Sequence, residues 1–298
     1  MRIADSFRFQ SFQNNISTLK EQLNKTEEMI SSTKRILAPS DDPVGTTEYM
    51  QLQTQNKTNS QYLKNLQQLT TLGGYYETTA NTVKDILNSA KQLATTMASD
   101  TQDATTRKDA ATNVEGLIEQ LVTAGNTKVG NTYIFGGKKS NAAAFTLNAD
   151  YSVTFNGSSD VLKVQTSNSQ TEKMGISGET FFGANGASNN IFGALKDLKD
   201  ALESDSTTGI SSSLDKIGNA IDLAANNISY VGTYINKISS LTDTLTNNNT
   251  NLQTNMSSIM DVDTVQAYSD YTNLTNVYEA SLTVLSKMQN MNILNYIS

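Results

Sequence analysis

Apolar positions recur in alternating steps of three and four along both ends of this 298-residue chain. Near the start they are Phe9, Phe12, Ile16, Leu19, Leu23, Thr26 and Ile30. Near the end a broader face holds Leu274, Val277, Tyr278, Ser281, Val284, Leu285, Met288, Met291 and Leu294. That spacing is the seam of a coiled coil. Chain ends are usually polar and frayed, so seams there need a cover. The first available cover is the opposite end of the chain, and the next is a neighbouring subunit. A single helix pair leaves half of each seam wet, too little burial to offset the entropy of ordering the segments. Residues 1–38 and about 264–298 are therefore expected to be disordered in the isolated monomer and to fold on assembly.

Between the ends the pattern marks further helices and one change of period. The two prolines, Pro39 and Pro43, bracket Ser40-Asp41-Asp42, and proline stops a helix while biasing its predecessor away from helical geometry. A first helix over about 5–38 is expected to break there, with Asp41 or Asp42 capping the next and Pro43 in its first turn. From Val44 to Ser99 the steps of four and three continue, enough for a helix about 80 Å long. Gly73-Gly74 interrupts it without shifting the register, which favours a close helix contact over a bend. A polar turn at 100–106 precedes a third helix on Ala111, Val114, Ile118 and Leu121. The period then becomes two: Tyr151, Val153 and Phe155 alternate before Asn156-Gly157, and alternation resumes from Val161 to Thr166, so a hairpin across Asn156-Gly157 is expected. Helix returns at 191–202. After a loop at 204–209, the heptad from Leu214 to Ile259 is the cleanest in the chain, with Asn249 on its seam as a register-fixing polar residue. Asp261-Val262-Asp263 breaks or caps, and the last helix follows. The expected fold is mainly α with a small β insertion, an elongated rod of long coiled-coil helices. Its N- and C-terminal helices pair, and its second helix lies along the long sixth.

Composition narrows the function. Hydrophobic residues make up 37% of the chain and charged residues 17%, and mean hydropathy is −0.40. The polar faces are therefore built mostly from Asn, Thr, Ser and Gln, as long amphipathic helices allow. The net charge of −7 argues against nucleic acid. No apolar run reaches the length of a membrane helix, and no apolar segment after Met1-Arg2-Ile3 marks a cleavable secretory signal. Cys, His and Trp are absent. Disulfides, thiol nucleophiles, imidazole bases and the common zinc ligands go with them. No catalytic residues, cofactor or metal are implied.

Short motifs that suggest chemistry have plainer explanations. Asp261-x-Asp263 lacks the glycine and distal glutamate of a calcium loop, and helix capping accounts for it. Asp41-Asp42 would point apart on a turn and cap as well. Gly136-Gly137-Lys138 lacks the rest of a phosphate loop and fits a strand-end turn. Lys34-Arg35 suits the negative end of a helix dipole and could also meet Asp41 or Asp42 of a neighbouring subunit.

The residues Ile30-Ser31-Ser32-Thr33-Lys34-Arg35-Ile36-Leu37-Ala38-Pro39-Ser40-Asp41-Asp42-Pro43 resemble the end of the first helix in the hook-associated protein 3 family, the flagellin-like proteins of the hook–filament junction. Met1-Arg2-Ile3, Gly130-Asn131-Thr132-Tyr133-Ile134-Phe135-Gly136-Gly137 and Glu279-Ala280-Ser281-Leu282 resemble that family in order and spacing over essentially the whole chain. Thr33 departs from it, since the family often has Gly there, and this removes the case for a glycine hinge in the first helix. The resemblance implies three layers. Residues 1–43 with 260–298 would form a coiled-coil inner layer, 44–129 with 190–259 a helical rod, and 130–189 a β-rich outer domain. It implies a subunit exported unfolded through the flagellar type III channel and helped by a chaperone. That subunit would assemble as a ring with copies of itself, between the first hook-associated protein and flagellin, outside the cell and without binding membrane or nucleic acid. The seam residues named above would be its subunit contacts, and Lys34, Arg35, Pro39, Asp41, Asp42 and Pro43 its helix-break motif. Two other readings stay open at this point: flagellin itself, and a secreted helical pore-former.

Overall fold

The structure is a computed structural model that describes the backbone of residues 2–297 and the side chains of residues 6–288. Helix α1 spans Arg2–Ser32, α2 Pro43–Met97 and α3 Ala104–Gly125. Six short strands follow: β1 Lys128–Val129, β2 Thr132–Tyr133, β3 Phe145–Leu147, β4 Val153–Phe155, β5 Lys163–Gln165 and β6 Thr171–Lys173. The chain then returns to helix with α4 Gly178–Phe182, α5 Ile191–Glu203, α6 Thr207–Met260 and α7 Thr264–Ile297. It is mainly α with a small β insertion, as expected. Contacts divide it into two units, Met1–Thr58 with Asn248–Ser298, and Asn59–Asn247.

The long helices tolerate their threonine content because the hydroxyls fold back onto the preceding turn. Thr54 donates to the Met50 carbonyl, Thr70 to Leu66 and Thr82 to Thr78, so a polar surface is built without charge. Within Asn59–Asn247, Tyr62, Leu66 and Leu69 of α2 cluster with Ile238 and Leu245 of α6. Gly73 lies against α6 so closely that a Cβ there would sit 2.8 Å from Ile235 Cγ1, whereas one at Gly74 would meet open space. The diglycine is thus a close contact, as the unbroken register suggests. At the far end of α2, buried Arg107 donates to the carbonyls of Met97 and Ser99 and pairs with Asp205. A cation is thereby placed on the negative end of a helix.

The centre of this unit is aromatic. Phe135, Phe145, Phe181, Phe182 and Phe192 pack with ring centroids 4.7 to 5.1 Å apart, mostly in tilted and edge-on arrangements, with Phe182 and Phe192 stacked. Tyr76 joins them edge-on against Phe135, its hydroxyl donating to the Ile134 carbonyl at 2.6 Å. Burial pushes that phenol up to about 12. Asn126, just past α3, accepts from the Phe145 N–H and donates to its carbonyl, clamping β3 to the helix end.

The β insertion forms three separate antiparallel ribbons, β1–β2, β3–β4 and β5–β6. This corrects the expected hairpin across Asn156-Gly157. Strand β4 pairs backwards with β3, Phe145 opposite Phe155, and β5 pairs forwards with β6, Lys163 opposite Lys173. Asn156 instead extends the β3–β4 ladder by donating to the Ala144 carbonyl. Gly157 is packed so tightly that a Cβ would meet the Phe155 ring at 2.5 Å. Burial of Phe145 and Phe155 together outweighs the local turn signal.

Candidate functional site

Within Met1–Thr58 and Asn248–Ser298, α1 packs against α7. The seam of α1 faces that contact, yet Phe9, Phe12, Ile16, Leu19, Leu23, Thr26 and Ile30 are each only half-buried. No side chain from Ser6 to Arg35 is fully buried. On α7 the facing row is Tyr271, Leu274, Tyr278, Ser281, Leu285 and Met288, half-buried in the same three-four rhythm, and Ala267 alone of the described residues there is buried. Val277 and Val284, expected as subunit contacts, are more open, at 49% and 45% exposed. Phe7 on α1 is 74% exposed. An open groove of about 420 Å³ runs between the helices, lined by Gln22, Thr26, Met29, Asn273, Leu274 and Val277 among others. The side chains of Met291 and Leu294 lie outside the described ones.

The helix-break motif is more closely built than its sequence suggests. Helix α1 ends at Ser32, six residues before the expected end near 38, because Thr33 adopts φ +56°. A left-handed residue is the usual helix stop, normally glycine, and a β-branched side chain there is strained. What holds it is main chain from the other end of the protein. Val262 N–H donates to the Thr33 carbonyl at 3.1 Å, and Arg35 N–H donates to the Met260 carbonyl at 2.7 Å. Together these make a one-residue antiparallel bridge of Lys34 with Asp261. The Arg35 guanidinium donates to the Ile259 carbonyl at 2.8 Å and pairs with Asp42 at 3.3 Å. Arg35 thus pairs with an aspartate of its own chain. Lys34 contributes its backbone to the bridge.

Each aspartate has its own task. Asp42 accepts from the Gly45 N–H at 2.8 Å and caps α2, with Pro43 as the first helical residue. Asp41 receives the Leu37 and Ala38 N–H groups at 3.1 and 3.0 Å, closing a turn with Pro39 at its second position, and pairs with Lys25 of α1 at 2.6 Å. The Lys25 ammonium, then the Ala38 N–H, hold the Asp41 carboxyl below the ordinary range. The Gly45 N–H and the Arg35 guanidinium do the same for Asp42. Asp263 caps α7 by accepting from Val265 and Gln266 N–H. Ile36 is buried against Gly45, where a Cβ would lie 3.2 Å from its Cδ1. The two breaks, 33–42 and 261–263, are one clasp. Sequence reasoning found the caps but missed Lys25 and the bridge, whose partners lie 16 residues and more than 220 residues away. No local pattern reports such distances.

This geometry holds the two breaks together. Among the described residues no group of three or more carboxylates is placed to hold a metal, and no helix is long and apolar enough to cross a membrane.

Known proteins resemble this chain in sequence and fold. Residues 6–140 match the bacterial flagellin N-terminal helical region, and residues 214–297 match the bacterial flagellin C-terminal helical region. Flagellar hook-associated protein 3 of Escherichia coli K12 is 26% identical, with 98% of both chains covered. Its counterpart in Salmonella typhimurium is 24% identical over the same shares. A solved structure of a Vibrio parahaemolyticus protein, named as a flagellar hook-associated protein, superposes with a TM-score of 0.67 at 18% identity. That match covers 74% of this chain and all of the other. With both terminal helical regions matched and long relatives aligned end to end, the chain belongs to the flagellin-like family of flagellar structural proteins.

Proposed function

We propose that this chain is the adaptor subunit that joins the flagellar hook to the filament. The observation that carries the reading is the half-buried seam of α1 and α7. Both helices keep apolar surface that one pairing leaves wet, and copies of the same helices in neighbouring subunits would cover it. In this reading residues 1–43 with 260–298 form an inner layer lining the bore of a ring, and 44–129 with 190–259 form the helical rod. Residues 130–189 then form the outer surface. One side of the ring meets the first hook-associated protein and the other meets flagellin. The subunit leaves the cell unfolded through the type III channel, escorted by a chaperone. An unfolded passage suits a chain without disulfides whose terminal helices gain much of their burial only on assembly.

Deleting the gene tests this directly. Cells are expected to make hooks without filaments and to spill flagellin into the medium; motile cells with intact filaments would overturn the proposal. A second reading, flagellin itself, draws on the two flagellin helical regions that the chain matches. It expects the purified chain to polymerise alone into long filaments, where the adaptor reading expects none.

A further inference from the structure

The chain contains two Asn-Gly pairs, Asn156-Gly157 and Asn185-Gly186, and the fold treats them in opposite ways. Asn-Gly is the dipeptide most prone to self-modification, because a glycine nitrogen reaches the asparagine side chain without a Cβ in the way. Asn156 is locked. Its N–H donates to Ala144, its side-chain amide donates to Thr146 Oγ1 at 2.7 Å, and Gly157 is wedged against the Phe155 ring. Asn185 lies in the exposed segment between α4 and α5. An Ala187 N–H to Ala184 carbonyl bond at 3.0 Å closes a turn around it, with Gly186 at φ +80° in the third position. No hydrogen bond engages the Asn185 side chain or the Gly186 N–H, and open space surrounds the point where a Gly186 Cβ would lie. The segment is fastened at its ends. Asn190 donates to the carbonyls of Gly183 and Ala184 and caps α5 by accepting from Gly193.

We infer that Asn185 is a site of spontaneous deamidation in the folded protein, and that the β3–β4 ladder protects Asn156 from the same reaction. The Gly186 nitrogen gives its proton to solvent base and attacks Asn185 Cγ. The new N–Cγ bond forms as the Cγ–Nδ2 bond breaks, and ammonia leaves with a proton from solvent. Water then opens the five-membered imide at either carbonyl, leaving aspartate or isoaspartate. Nothing is oxidised or reduced, and water is the only co-reactant. The products add a negative charge to an already acidic chain. The isoaspartate form also inserts a backbone atom in the segment before the Asn190 cap, and it is the chemical class of residue that isoaspartyl methyltransferases take as substrate.

Peptide mass mapping of the folded full-length protein, sampled during incubation in mildly alkaline buffer, tests the assignment. The peptide with Asn185 is expected to gain the deamidation mass at least about tenfold faster than the peptide with Asn156, since reaction at Asn156 requires local opening of the ladder. In urea the two rates should converge. Asn185→Gln should abolish the gain in its own peptide and leave the Asn156 rate unchanged. Equal rates in the folded protein, or an Asn185 peptide that converts only in urea, would overturn the inference.

Discussion

Phe182 and Phe12 are the same side chain in two situations. Phe182 is fully buried, ringed by Phe135, Phe145, Phe181 and Phe192 at about 5 Å. Phe12 sits on a helix-pair seam and is only partly buried. In the Asn59–Asn247 unit the chain completes its own core, and the large apolar groups that build it are buried by partners in the same molecule. In the unit that carries both termini the apolar groups are arranged in order but left partly wet. The difference lies in geometry more than composition. Three helices and a strand ribbon can enclose a ring from all sides, whereas two helices can cover only the strip between them.

The largest test of that contrast is a matched pair of truncations. Phe182→Ala should lower unfolding stability by about 3–5 kcal/mol, read from urea denaturation. Phe12→Ala should change the same midpoint by no more than about 1 kcal/mol and show its effect in assembly instead. Equal losses would dissolve the distinction. Next comes Arg107→Ala, which leaves the Met97 and Ser99 carbonyls without their donor and removes the partner of exposed Asp205. A loss of about 2–4 kcal/mol is expected in the same assay. A third pair probes the close helix contact. Gly73→Ala should destabilise by roughly 1–3 kcal/mol through overpacking on Ile235, while Gly74→Ala should stabilise by about 0.5–1 kcal/mol through helix propensity alone.

Smaller effects belong to the clasp. Thr33→Gly removes left-handed strain but frees the unfolded chain, for a net gain of roughly 0.5–1 kcal/mol. Slower hydrogen exchange at the Arg35 and Val262 amides would register it, and unchanged exchange would place the strain elsewhere. The smallest effect is the response to acid. Asp41 and Asp42 are held below the ordinary carboxylate value of 3.8, so their contribution is complete above that pH. It is lost as pH falls through their lower folded values. Amide exchange at Leu37, Ala38 and Gly45 should therefore quicken only in acid, and Asp41→Asn should flatten the change at the first two. Quickening near neutral pH would contradict the assignment.

How legible all this was from sequence depended on range. Long helices declare themselves through dozens of concordant positions, which is why α2, α6 and the terminal seams were readable. The unbroken register even identified Gly73 as a contact. Asn156-Gly157 misled because a turn propensity of a few tenths of a kcal/mol competes with a shared aromatic core formed by Phe145 and Phe155. The end of α1 misled for a different reason. Nothing near Thr33 asks for a left-handed threonine. The demand comes from main chain at 260–262, which no local pattern can report. The clasp was visible only as its separate caps.

The three ribbons of the β insertion carry a consequence for variation. Each closes on a neighbour within a dozen residues of sequence, and none shares a ladder with another. A change of length at the tip between β3 and β4, or between β5 and β6, therefore stays within its own ribbon. Such a surface can diverge or accept a grafted peptide tip by tip while the helices beneath keep their register.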